Sequence, residues 1–162
     1  MGIAAVGCAF DIKSRRIPNA LTFGAAAAGF GYHTATGGLG ALGTSVSGWL
    51  VGVLMFIVPF ALRGLGGGDV KLLGALGAWV GPLQALWIAL YTGVAGGLMA
   101  FALGLASGHL RPALANLRLL LVHWGVAGLR ALPGLTLHES KAPKLPYAIP
   151  ILCGTLVALW LQ

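Results

Sequence analysis

Acidic residues are almost missing from this chain. Asp11, Asp69 and Glu139 stand alone against ten Lys and Arg in 162 residues, and charge of either sign makes up only 8%. With a mean hydropathy of +0.92, so little polarity excludes an ordinary soluble domain. Cysteine is scarce too. Cys8 and Cys153 sit in apolar segments near opposite ends of the chain. They form no CxxC pair, which excludes a zinc ribbon or a dithiol redox motif, and both read as small membrane residues. The four histidines, His33, His109, His123 and His138, show no HExxH or similar spacing. No metal site is expected, and no organic cofactor is called for. The net charge of +7 never gathers into one basic face. It does not mark a nucleic-acid binder. No cation precedes the apolar start, so residues 1–10 are not read as a signal peptide.

What is abundant is glycine and apolar side chain, 27 residues and 58% of the chain respectively. Small residues let membrane helices approach closely. The fold class expected is therefore all-α: a polytopic membrane helix bundle of about six transmembrane segments plus one interfacial amphipathic helix. One integral-membrane domain over residues 1–162 is expected. The apolar segments cover residues 1–12, 20–35, 42–62, 70–80, 83–106 and 147–161. The first and fourth are short for a bilayer and need shielding by neighbours. Pro18 interrupts the chain after the first, and Asn19 suits an N-cap of the second. Gly81-Pro82 signals a turn. Residues 109–132 are leucine-rich but carry Arg111, Arg118 and Arg130, the pattern of an interfacial helix, and a polar loop follows at 133–146. Gly48-Gly52, Gly77-Gly81 and Gly93-Gly97 are each spaced for a close helix contact.

If the N-terminus lies outside, six crossings put linkers 12–19, 63–69 and 107–146 on one side. Those linkers, with Lys71 just inside the fourth segment, hold all ten Lys and Arg residues. The opposite linkers, 36–41 and 81–82, hold none. This asymmetry marks the charged side as cytoplasmic. Asp11 and Asp69 then lie on the same side, each at a helix end.

A carboxylate at membrane depth is costly and is by default a functional candidate. Gly66-Gly67-Gly68-Asp69 is a GxGD motif. Gly66 and Gly68 carry no side chain, so a substrate strand can come close to the Asp69 carboxylate. The plain alternative is that Asp69 caps a helix after a glycine turn. Two aspartates that share one proton can activate water for amide hydrolysis, one as base and the other as acid. Asp11 is the other acid at a helix end on that side, although it could equally be a surface partner of Lys13, Arg15 or Arg16. Lys71 could tune such a pair, but a lysine that snorkels at the membrane edge is the simpler reading. Glu139 reads as a solvated loop residue.

Three ordered blocks carry a family likeness: Asp11-Ile12-Lys13-Ser14-Arg15-Arg16-Ile17-Pro18-Asn19, Gly66-Gly67-Gly68-Asp69-Val70-Lys71-Leu72, and Leu145-Pro146-Tyr147-Ala148-Ile149-Pro150. With them the chain resembles the type IV prepilin peptidases, membrane-embedded aspartic proteases of the GxGD class. The resemblance implies that Asp11 and Asp69 are the catalytic pair. It implies a hydrolase of the bacterial inner membrane that removes the leader of prepilins, or of pilin-like secretion subunits, at the cytoplasmic face. Its partners would be the prepilin and the lipid bilayer. Larger members also methylate the new N-terminus and carry an extra segment with paired CxxC motifs. That segment is missing here, so the chain looks like the short, peptidase-only branch that serves Flp/Tad-type pili. The family's first helix usually has more than ten residues before its aspartate, which leaves open that the sequence starts within that helix. A different class of function is a non-enzymatic pilus-assembly scaffold or a small proton-coupled carrier, since membrane carboxylates also serve proton relays. A carrier would tend to show inverted repeats, and GGGD occurs once.

Overall fold

The computed structural model describes residues 1–61, 65–108, 114–115, 118–119, 122–123 and 146–161. Among these, every regular element is helical: α1 (Gly2–Ser14), α2 (Asn19–Ala61), α3 (Gly67–Val80), α4 (Pro82–Ala106) and α5 (Ala148–Trp160). The expected interfacial helix at 109–132 lies outside the described residues, apart from short helical pieces at 114–115, 118–119 and 122–123. Loop residues 133–145, Glu139 among them, lie outside as well. Two helices, α2 and α4, are long and apolar enough to cross a membrane.

α2 is broken within its length. Gly38 adopts φ 65° and ψ −155°, a backbone conformation open to glycine and few other residues. The two arms then run along α3 in opposite directions. In the first arm, Asn19 meets Lys71 near the start of α3. Further on, Gly29 meets Ala78 and Trp79 near its end. The second arm contacts α3 in reverse order: Ser45 at Ala78, Gly48 at Gly77, Gly52 at Leu73 and Phe60 at Gly67. The hairpin matches the two separate segments expected at 20–35 and 42–62.

α3 is the centre of the bundle. Its buried residues run from Asp69 to Ala78 with Lys71 as the one gap. A helix apolar all round is one surrounded by other helices. At 14 residues it is about 21 Å long, short of the hydrocarbon thickness, and its neighbours supply the shielding. The carbonyls at its end have no partner within the helix. Ser45 Oγ donates to Ala78 O, and His33 Nε2 donates to Trp79 O at 3.1 Å. Trp79 Nε1 in turn donates to Ala25 O at 2.8 Å. Both arms of α2 are thereby tied to that end.

Glycine sets how closely the helices pack, and here one expectation fails. Gly48 and Gly77 meet backbone to backbone, and Gly81 turns the chain at φ 83°. Gly93 and Gly97 face open space. Instead Gly96 lies under Tyr147, and Gly154 of α5 lies against Thr92. The buried side of α4 is Ala85, Ile88, Ala89, Thr92 and Gly96, and the helix turns Gly93 and Gly97 away from it. Its outer side exposes Leu90, Val94, Leu98, Phe101 and Leu105, an apolar face suited to lipid.

A second expectation shifts as well. Asn19, expected as an N-cap, is the first residue of α2. Its Oδ1 accepts from Lys71 Nζ at 2.9 Å, while Pro18 O takes the N–H groups of Leu21 and Thr22.

Candidate active site

Three helices bring polar groups to one end of α3. On α1 the buried residues are Ala4, Gly7, Cys8 and Asp11. That i, i+3, i+4, i+7 spacing is one helix face, and Asp11 closes it. Gly7 allows the Leu72 side chain of α3 to press against α1. One turn after Asp11, Arg15 turns the chain in the left-handed conformation (φ 54°) and its N–H bonds Asp11 O. The helix therefore stops just past the aspartate.

On α3, Asp69 sits in the first turn and not at the cap. Gly66 is the N-cap residue, with no side-chain capping bond, and the Asp69 N–H donates to Gly66 O at 3.2 Å. The Asp69 carboxylate also reaches back to the Gly66 backbone N–H, so it serves the helix start from the third position. Asp11 and Asp69 are 9% and 7% exposed, well inside the protein for carboxylates. They lie close enough for the charge of Asp11 to act on Asp69.

The glycine run fits the space around this pair. A side chain on Gly66 would come to 3.2 Å of Asp69 Oδ2. Gly67 has Phe60 against it and Gly68 has Ile17. Two of the three glycines therefore make room for neighbouring side chains of the protein itself. Lys71 points toward α2. Its ammonium bonds Asn19 and lies over the Phe23 ring, 5.2 Å from the centroid. It ties α3 to the first arm of α2.

The third contributor is α5. Its first N–H, on Ala148, donates to Asp11 Oδ2 at 3.3 Å. Tyr147 stands just before it, and its phenol lies within electrostatic reach of Asp69. Tyr147 and Ala148 of the LPYAIP block thus lie where the two aspartate blocks meet. Pro150 falls in the first turn of α5, where a missing N–H costs nothing.

The model of the type IV leader peptidase family matches residues 1–101. The chain belongs to that family. No curated protein and no solved structure matches it. Family membership makes the chain a peptidase, and with α2 and α4 able to cross a bilayer it is a membrane protein. In this leader peptidase the matched region holds both buried aspartates, the glycine run and Lys71. Tyr147 and Ala148 lie beyond it. Sequence reasoning missed the Ala148 N–H and the Gly96 contact. The first left no signal, because a backbone donor has none. The second was legible in the helical spacing of Ala85, Ala89, Thr92 and Gly96.

Proposed function

We propose that this leader peptidase is an aspartic endopeptidase that cuts the leader from prepilins, with Asp11 and Asp69 as its catalytic pair. The observation that carries the reading is the convergence of two buried carboxylates from α1 and α3, one of them already held by a backbone N–H. A membrane chain does not bury two carboxyl groups within electrostatic reach of each other without use for them.

Water is the nucleophile. One carboxylate takes a proton from it as its oxygen attacks the scissile carbonyl carbon. The other, protonated, gives its proton to the carbonyl oxygen. The tetrahedral diol then collapses: one diol hydroxyl gives its proton back to the pair, the C–N bond breaks, and the amine leaves with the pair's other proton. One water is consumed per bond cut, and the pair returns to its starting charge. These steps need no organic cofactor.

The proposal extends to setting. The chain acts as one domain over 1–162, crossing the bacterial inner membrane about six times. The two arms of α2 count as separate crossings. The aspartate end faces the cytoplasm, in keeping with Lys13, Arg15, Arg16 and Lys71 nearby. Its reaction is peptidase only, of the type that serves Flp/Tad pili.

The test is cleavage of a prepilin with a glycine-terminated leader by the purified enzyme in liposomes. Asp11→Asn and Asp69→Asn should each lower the rate by about a thousandfold or more while still inserting and folding. Normal cleavage by either variant would reject the pair. It would favour a non-catalytic role for these carboxylates.

A further inference from the structure

The Ala148 N–H that meets Asp11 is the first donor of α5. A helix leaves its first N–H groups without carbonyl partners, so this one is free to serve a side chain elsewhere. Its aim depends on where the start of α5 is held. Two contacts with α4 hold that helix. Gly154 lies against Thr92, and one turn further along α4 the Tyr147 ring lies in the notch left by Gly96. A Cβ on Gly96 would stand 2.6 Å from the Tyr147 hydroxyl oxygen, and 2.9 and 3.0 Å from two ring carbons. Those distances are too short for any side chain to share the space. The buried Phe56 of α2 meets the same ring edge-on, at 5.8 Å between centroids. The ring is therefore fixed by α2 and α4 together. It belongs to the residue whose carbonyl forms one peptide with the Ala148 N–H.

We propose that Gly96 and Tyr147 form a positioning latch that holds the start of α5 so that Ala148 N–H stays on Asp11. This rests on Asp11 being one of the catalytic pair. Neither residue touches the reacting atoms. Both act through the orientation of Asp11.

The prediction is kinetic. Gly96→Ala pushes the ring from its notch and turns the peptide. With the glycine-leader prepilin, kcat should fall between about tenfold and a hundredfold while KM stays within about twofold. Gly93→Ala and Gly97→Ala, on the same helix but facing open space, should cleave as the parent does. Adding Tyr147→Phe to Gly96→Ala removes the nearest clash, that of the hydroxyl, and should recover part of the lost kcat. Should Gly96→Ala not accumulate in membranes, Tyr147→Leu, which frees the notch without adding bulk to α4, should show the same fall in kcat at steady KM. Unchanged kcat in Gly96→Ala or in Tyr147→Leu overturns the latch. So does an equal loss in Gly97→Ala, or a double variant no faster than Gly96→Ala. Asp11→Asn is run in the same assay. If it is inactive while Gly96→Ala is normal, the latch fails and the aspartate pair stands. If Asp11→Asn cleaves normally, the pair itself fails.

Discussion

Gly48 and Gly77 meet across the seam between α2 and α3, while Gly93 and Gly97 on α4 face open space. Gly48 and Gly77 each belong to a pair with the four-residue spacing of Gly93 and Gly97. The difference comes from what lies opposite. Ser45, Gly48 and Gly52 lie on one buried stripe of α2, and the facing stretch of α3 offers Gly74, Gly77 and Ala78. Small residues on both sides let the backbones touch, and that contact lasts over two turns. On α4 the stripe that meets α5 includes Thr92 and Gly96, one step off the Gly93-Gly97 pair. Spacing says that two helices could meet closely. Only the partner helix decides on which face they do.

The comparison breaks most easily at its tightest point. Gly77→Val should leave little folded protein, because its Cβ would overlap the Gly48 carbonyl and neither backbone can retreat. A loss of about 3 kcal/mol or more is expected, read as thermal unfolding or protease resistance in detergent. If the variant is as stable as the parent, the seam is not the centre of the bundle. Gly74→Ala should cost less, about 1–2 kcal/mol. Its Cβ would meet Val53 Cγ2 at 2.7 Å, the end of a side chain that can be trimmed. Pairing it with Val53→Ala should return part of the loss. Gly93→Ala and Gly97→Ala lie at the other extreme. They should be neutral, or up to about 1 kcal/mol more stable through helix propensity alone. A clear destabilisation there would mean that the outer face of α4 is covered by something.

Much of the bundle was legible in the sequence because the segments are strongly apolar and their breaks carry Pro or Gly. The Ile17-Pro18 break, the Gly81-Pro82 turn and the extents of α4 and α5 follow directly. The turn at Gly38 was legible as a charge-free glycine link, and the helix breaks there. The aspartates stood out first through scarcity, and then through the GxGD run and the ordered blocks around them. Their burial and mutual proximity were not legible, since these depend on contacts between α1, α3 and α5 far apart in the chain. Lys71 illustrates the limit. Sequence placed it two residues from Asp69, and the helix turned it toward Asn19 and Phe23. Two residues along a helix is most of the way to the opposite face. The Ala148 bond to Asp11 spans 137 residues and uses a group that every residue but proline carries.

That bond also sets an order in time. Membrane helices emerge from the ribosome in sequence, and α5 is the last of the described helices to do so. A nascent chain that has reached the end of α4 already carries both aspartates, but not the donor that holds Asp11. The bond joins the first and last of the described helices. With Asp11 catalytic as proposed, competence would arrive when α5 docks, and a chain interrupted before α5 would lack it however well α1 to α4 had packed.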